Sequence, residues 1–327
     1  MQIKHILYVV VVCAVIVVIR RTTPKHISLV VSWVDGTDKR LYDARQQWIN
    51  GSGITPNSQS IADYRIIGDD ELKYLLRSVD AYAPWIHQIF IVTSFYQKPA
   101  WLKPNKKLTF INDTDIIPSQ YLPTFNSHVI ESYLHNIPGL TEYYIYANDD
   151  MFFGNHVTQD DFFYNGKIIV YTDGVDKPTN TEKSYHKMAW NNNYKLLLET
   201  YGAELPNKLP CHQMTMTSKT LARNMFTMFQ KEIVKTSETK FRHETNIHPM
   251  GLQLYSGLCD GSVVENMFKM DELYTNYFKD SALFKRYLDY ITACKPKFIC
   301  VNNVIAPSSV FKEFAEAYYP VKSQYEL

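Results

Sequence analysis

The sequence predicts a doubly wound, Rossmann-like α/β sheet with a helical insertion, preceded by an N-terminal membrane helix. Three observations carry this expectation. Between residues 27 and 150, short β-prone apolar runs alternate with segments of helical periodicity. The run Tyr143 to Ala147 ends directly in Asn148-Asp149-Asp150, and open α/β sheets bind ligands beyond the carboxyl ends of their strands. Upstream, Ile6 to Ile19 is an uncharged apolar run of fourteen residues between Lys4-His5 and Arg20-Arg21. The expected division is an anchor and linker over 1–25 and one domain over 26–327, with the helical insertion at about 190–292.

Ile27 to Val34 (ISLVVSWV) reads as a first buried strand. Asp35-Gly36-Thr37-Asp38 turns the chain and offers an N-cap for a helix running to about Asn50. Gly51 to Ser60 is polar and loop-like. Asp69-Asp70-Glu71 opens a helix whose apolar face, Leu72, Leu75, Leu76, Val79 and Tyr82, has helical spacing; Pro84 stops it. Ile86 to Thr93 and Leu108 to Ile111 are the next strands. A helix from about Ser127 turns Val129, Ile130, Tyr133, Leu134 and Ile137 inward and ends at Pro138-Gly139, ahead of the acidic strand. Ile168 to Tyr171 is a further strand ending in Asp173-Gly174. The pattern then turns helical near 193–201, 217–230 and 263–290. A last strand, Lys297 to Val301, leads through Asn302-Asn303 to a C-terminal helix.

At 327 residues and 46% apolar content the chain can bury a large core. Lys and Arg total 34 against 33 Asp and Glu, with no basic run longer than a pair, which argues against a nucleic-acid partner. Fourteen helical residues cover about 21 Å, short of the roughly 20 residues a span prefers. Ile3 extends the run, and Lys4, Arg20 and Arg21 can snorkel. No small-x-small cleavage site follows, so an uncleaved signal anchor is favoured over a signal peptide. Arg20, Arg21 and Lys25 against Lys4 favour a cytosolic domain, whereas the sequons at Asn50 and Asn112 suit a lumenal one; the membrane face stays open. Cys13 lies in the run. Cys211, Cys259, Cys294 and Cys300 form no CxxC pair, allow two disulfides or none, and do not fit a structural zinc site.

Asp149 and Asp150 are hard oxygen ligands suited to Mg²⁺ or Mn²⁺ held against phosphates. Asn and Asp are also ordinary turn formers, so the pair alone leaves both readings open.

Four blocks in order add to this: Val31-Ser-Trp-Val-Asp-Gly-Thr-Asp38; a long second block; Cys211-His212 to Phe241-Arg-His243; and Ile299-Cys-Val-Asn302 with Pro320 and Ser323-Gln-Tyr-Glu326. The second block contains Asp70-Glu-Leu-Lys-Tyr-Leu-Leu-Arg-Ser78, Tyr82-Ala-Pro-Trp85, Pro123-Thr-Phe-Asn-Ser-His128, Ile130-Glu131 and Asn148-Asp-Asp150. In these blocks the chain resembles the Stealth sugar-phosphate transferases, a family of capsular-polysaccharide phosphotransferases that includes the N-acetylglucosamine-1-phosphotransferase tagging lysosomal enzymes. Two positions depart from the family pattern: Ile67-Gly68 replaces Arg-Asp, and Asn302-Asn303 replaces Asn-Asp, which removes a carboxylate.

The resemblance implies a sheet of the nucleotide-sugar transferase type and transfer of a sugar-1-phosphate from a nucleotide-sugar, such as UDP-N-acetylglucosamine, to a hydroxyl of a glycan acceptor. A phosphodiester forms and a nucleoside monophosphate leaves. It implies a metal on Asp149 and Asp150. His128, on a helix face expected to be polar or cleft-facing, and His212, the preferred one, are the candidate bases; either is otherwise an ordinary surface or core histidine. His128-x-x-Glu131 with His135 invites a zinc reading but is neither HExxH nor HxxEH. Arg242 suits two phosphate oxygens at once. Arg77 binds phosphate or pairs with a carboxylate. Trp33 stacks on a nucleobase or sits in the core, with Asp35 and Gly36 approaching the nucleotide. Asp70, Asn126 and Asn302 are further substrate-binding candidates. The competing functions are a metal-dependent glycosyltransferase releasing a nucleoside diphosphate and a non-catalytic carbohydrate-binding protein.

Overall fold

The structure, a computed structural model, describes residues 26–51, 60–66, 68–179, 184–202, 205–267, 272–276, 281–302 and 309–327. The expected membrane run at 6–19 and Asn303 lie outside the described residues, as do residues 52–59 of the expected loop. Among the described residues no helix is long and apolar enough to cross a membrane.

The chain begins with β1 (Ile27–Ser32), α1 (Lys39–Gly51), α2 (Glu71–Tyr82), β2 (Gln88–Thr93), β3 (Leu108–Asn112), α3 (Ser127–Tyr133) and β4 (Tyr143–Asn148). Next come β5 (Met151–Phe153), β6 (Phe163–Tyr164), β7 (Lys167–Asp176), α4 (Tyr185–Tyr201), β8 (Lys208–Pro210) and β9 (Thr215–Ser218). The remainder is α5 (Lys219–Met228), α6 (Gln230–Ser237), α7 (Pro249–Asp260), β10 (Val263–Met267), β11 (Glu272–Asn276), α8 (Ser281–Cys294), β12 (Phe298–Asn302) and α9 (Ser309–Tyr318).

The central sheet runs β3-β2-β1-β4-β9, with β1 parallel to both β2 and β4, and β9 antiparallel at the edge. Its apolar strands alternate between two buried faces. Leu29, Val31, Ile89, Ile91 and Ile145 pack in the core that holds Leu72, Leu75 and Val79 of α2. Val30, Phe90, Val92, Tyr144 and Tyr146 pack in the core that holds Val129 and Tyr133 of α3. The winding direction reverses at β1, which opens a crevice beyond the carboxyl ends of β1, β2 and β4.

The α/β class and the first four strands follow the sequence expectation. Three points differ. The insertion at 190–292 is not purely helical: β9 extends the central sheet, β10 pairs with β7 in a second sheet, and β11 pairs with β12, which in turn pairs with β5. The helix expected near 263–290 is instead β10, β11 and the later α8. Gly261 ends α7 in the left-handed conformation (φ 78°), and the β-branched Val263-Val264 that follow pair along Ile168-Ile169. The helix expected to reach Ile137 leaves α-geometry after Tyr133 and finishes as a 3₁₀ turn over Leu134–Asn136. Asn112, a sequon in the sequence, is buried; its amide donates to Asp113 and Thr114 and accepts the Tyr96 N–H, so it is no surface acceptor for glycan.

The chain's last turn is locked onto α2 by Arg77. Its guanidinium donates to both carboxylate oxygens of Glu326 (2.9 and 2.8 Å), to Glu316 (2.7 Å) and to the Tyr319 carbonyl (2.8 Å). Ser323 adds an N–H and an O–H to the same Glu326 oxygen. Of its two expected roles, Arg77 takes the pairing one, outside the cleft described below. Breaking a buried pair leaves an uncompensated charge, so Arg77→Ala is expected to lower the unfolding free energy by about 3–5 kcal/mol in a guanidinium chloride melt. Burial raises the Glu326 carboxyl, but its Arg77 and Ser323 partners bring it below the ordinary range. The contribution is therefore full above an unfolded value near 4.3 and fades as pH falls through the lower folded one.

Candidate active site

A cleft of about 420 Å³ occupies the crevice. Ser32, Trp33 and Val34 line it from the end of β1, Val92 to Ser94 from the end of β2, and Asn148, Asp149 and Asp150 from the end of β4. Its chemistry is divided between an acidic pole and a cationic one.

At the acidic pole, Asp149 and Asp150 are joined by Glu71, the first residue of α2. The sequence reading did not single out Glu71; its place one residue after Asp70 in the second block was the available signal. Glu71 accepts the backbone N–H of Asp69, and Gly68 leaves room for the carboxylate: a Cβ there would stand 2.5 Å from Glu71 Oε2. Burial, then the neighbouring acids, raise all three carboxyls; for Asp149 the neighbour is Asp150, for Glu71 it is Asp149. Asp150 is pushed up to about 7 by burial and Glu71, against a hydrogen bond from the Cys300 thiol. Asp150 Oδ1 is buried without a hydrogen-bond partner among the described residues. Three mutually raised carboxyls with an orphaned oxygen offer hard oxygen donors for a divalent cation, although their ligand atoms do not all lie within 4.8 Å of one another in this structure.

At the cationic pole stand Arg242, His186 and His248, with Arg65 also lining the cleft; His212 lies between the poles, its ligand atom within 4.8 Å of one on Asp150. Arg242 donates to Ser127 Oγ at 2.8 Å. Its loop is held by Asn126, whose amide donates to Asn246 Oδ1 (2.8 Å) and Thr239 Oγ1 (3.0 Å), while its own oxygen caps α3 at the His128 N–H. Asn126 is thus fully buried, and it positions Arg242 from beneath the loop. His248 caps α7: its Nδ1 accepts the Gly251 N–H at 3.1 Å and its ring stacks on Trp190 at 4.4 Å. The neutral ring then carries its proton on Nε2 and acts as a donor. Burial, and then Arg242, push His212 down to about 4 and His248 to about 3. Both imidazoles are neutral at pH 7. Glu131 also lines the cleft, raised to about 7 by burial with Arg242 opposing.

The structure brings together Trp33, Asp149, Asp150, His212 and Arg242 of the expected site. It corrects others. His128 is fully buried rather than cleft-facing, since the turn of α3 that carries it packs beneath His248, ring centroids 5.2 Å apart; neither of its ring nitrogens has a hydrogen-bond partner among the described residues. Its ligand atoms group with those of His186 and His248, not with His135, so the helical zinc pattern does not form. Asp35 spends its carboxylate on Thr37 and its backbone on Gln97. Gly36 packs against the Ile66 carbonyl, where a Cβ would sit at 2.1 Å. Asp70 is exposed, 3.7 Å from Lys312. None of these three lines the cleft. Asn302 ends β12, and its side chain lies outside the described residues.

Residues 65–170 match the family model for Stealth protein CR2, conserved region 2. Exopolysaccharide phosphotransferase CpsY of Mycobacterium tuberculosis is 31% identical over 322 residues, 92% of this chain and 58% of that protein. Capsular polysaccharide phosphotransferase LcbA of Neisseria meningitidis is 33% identical over 242 residues, 69% of this chain and 63% of that one. The chain belongs to the Stealth family. It spans a little over half the length of these relatives. Mouse xyloside xylosyltransferase 1 in its apo form aligns at 8% identity over 84% of this chain and 97% of that one, with a TM-score of 0.38. The Stealth region contributes Glu71, Asp149 and Asp150, together with Ser127 and Glu131, whereas Arg242, His186, His212 and His248 come from the chain beyond it.

Each of the three raised carboxyls holds its proton more tightly folded than unfolded. Their charge therefore lowers stability as pH rises from their unfolded values near 4 through the folded ones. The lowered histidines act in the opposite sense but cancel in a comparison with a variant. Without added metal, the stability of Asp149→Asn relative to the wild type should rise by roughly 1–3 kcal/mol from pH 5 to pH 8, read from paired thermal melts.

Proposed function

We propose that this protein transfers a sugar-1-phosphate from a nucleotide-sugar to a hydroxyl of a glycan acceptor. The observation that carries the proposal is the division of one cleft, at the switch point of the sheet, into three carboxylates at one pole and a guanidinium with neutral imidazoles at the other. Phosphoryl transfer needs both: charge neutralisation on the donor diphosphate and donors for charge developing on the phosphorus. The names of the relatives, exopolysaccharide and capsular polysaccharide phosphotransferase, point the same way.

In this proposal Asp149, Asp150 and Glu71 hold Mg²⁺ or Mn²⁺. Once bound, that ion supplies Lewis-acid charge to the donor phosphates. Arg242, held over Ser127, grips non-bridging oxygens, and His248 donates through Nε2. Trp33 offers an indole face to the nucleobase at the end of β1. The acceptor oxygen bonds to the sugar-side phosphorus, the bond from that phosphorus to the bridging oxygen breaks, and the nucleoside monophosphate leaves with the electron pair. The hydroxyl proton passes to His186 or His212, the two imidazoles of the cleft that do not cap a helix.

The test is chromatography of the nucleotide released from UDP-N-acetylglucosamine, and then from other UDP-sugars, with acceptor and Mg²⁺ or Mn²⁺. Uridine monophosphate in step with acceptor-linked sugar phosphate is expected, with loss of turnover in EDTA and a drop of about 10²–10³ in Arg242→Ala. Stoichiometric uridine diphosphate would instead mean glycosyl transfer.

The apolar run at residues 6–19 supports a second proposal, attachment of the full chain to a membrane by a signal anchor. The full-length protein should sediment with membranes until detergent is added, and removal of residues 1–24 should release it. Full-length protein in the detergent-free supernatant would refute attachment.

A further inference from the structure

A second metal-ligand group adjoins the three carboxylates. Ligand atoms of Asp150, His212 and Cys300 all lie within 4.8 Å of one another. Cys300, on β12, is buried, and its thiol donates to the Asp150 carboxylate. Asp150 Oδ1 is the orphaned buried oxygen noted above. Two sheets converge to make this group. Asp150 follows the central strand β4, and the Val301 N–H donates to the Asp150 carbonyl at 3.0 Å, which clamps β12 beside it. Oxygen, imidazole nitrogen and thiolate sulfur together are not a magnesium donor set; they suit zinc and its neighbours.

We propose that Asp150, His212 and Cys300 bind a zinc-class divalent ion, separate from the hard ion on Glu71 and Asp149 and sharing Asp150 with it, with a fourth position open to the cleft. Zinc at about 2.0–2.3 Å from each ligand atom spaces tetrahedral ligands about 3.3–3.7 Å apart, so the group, with its atoms within 4.8 Å, is within about 1.5 Å of closing. Charge balances as well. Glu71, Asp149, Asp150 and a Cys300 thiolate supply four negative charges against two divalent ions, the thiol proton leaving to solvent. The other imidazole group, His128, His186 and His248, is a poorer cation site. Arg242 bears on all three rings and Arg65 on two, with no anionic ligand to offset them, whereas at the other group Arg242 bears on His212 beside the Asp150 carboxylate; His248 Nδ1 is also already committed to Gly251. Engagement of His212 leaves His186 to take the acceptor's proton. That last assignment rests on the proposed transfer reaction; the ion site does not.

The test uses the full-length protein purified without chelator, first for metal content and then with Co²⁺ replacing the bound ion. About one equivalent of zinc per chain is expected, and a thiolate-to-cobalt charge-transfer band with the strong visible bands of four-coordinate cobalt. Cys300→Ser should fold, by circular dichroism, and lose the band. His212→Gln should bind Co²⁺ at least tenfold more weakly. Asp149→Asn should keep the band while losing its Mg²⁺ or Mn²⁺ response. His186→Ala should keep the zinc and lower turnover by about 10²–10⁴. Six-coordinate cobalt without a thiolate band in the wild type would overturn the site, as would a band that survives in Cys300→Ser or disappears in Asp149→Asn. Uridine diphosphate as product would overturn the transfer reaction alone, because the cobalt spectrum is read without substrate.

Discussion

The repulsion among Glu71, Asp149 and Asp150 is the constraint around which the molecule is organised. Removing one carboxylate from water without a partner is expensive, and three together hold one another's protons on. Either a retained proton or a bound cation relieves that cost. The acids come from different elements, Glu71 from the start of α2 and the aspartates from the end of β4, so the sheet register and the packing of α2 set their separation. The Arg77 lock therefore bears on the site although it touches no cleft residue. By fastening the chain's last turn to α2 it fixes the helix that delivers Glu71.

The cationic pole is built on the same plan from weaker parts. The Arg242 guanidinium donates to a hydroxyl, Ser127, and lies close enough to Glu131 to lower that carboxyl against its burial. Asn126 and Asn246 hold the surrounding backbone. Arg242 lines the cleft, whereas Arg77 is bound by two carboxylates outside it. The contrast explains why two arginines expected to bind phosphate fall into different roles. Partner identity separates them, and partner identity depends on which distant segments meet.

That dependence marks how far the sequence could be read. The four parallel strands, α2 and the acidic strand end were legible because each declares itself within ten residues, by β-branched runs, helical spacing or a Pro stop. Asp149, Asp150, Trp33, His212 and Arg242 were legible by strand-end logic or family blocks. Glu71 was not, because its function depends on a fold that turns the first residue of α2 toward the end of β4. His186 and His248 carried no local signal beyond being histidines. His128 misled for a related reason: its helical neighbours Val129 and Ile130 suggested a polar face, yet α3 is covered on that side by α7, with His248 against its ring. The strands between residues 208 and 276 were missed because three to five residues give too short a run to reveal a period of two.

The two-pole cleft also bears on which bond such a site is built to break. Glycosyl transfer develops positive charge at an anomeric carbon, where either a carboxylate attacks or a base takes the proton of the incoming acceptor hydroxyl. Here the carboxylates crowd at a single pole, mutually raised, and Glu131 lies with Arg242 and Ser127 at the other. Their crowding fits a shared cation better than two independent acid-base roles, since each holds the others' protons on. Arg242 and the donor His248 face the same cavity, so with the proposed cation on the carboxylates a phosphoryl group there would meet positive charge from both sides. An anomeric centre gains little from that field, because its own transition state is positively charged. In the proposed reaction that field favours attack at phosphorus over attack at the anomeric carbon.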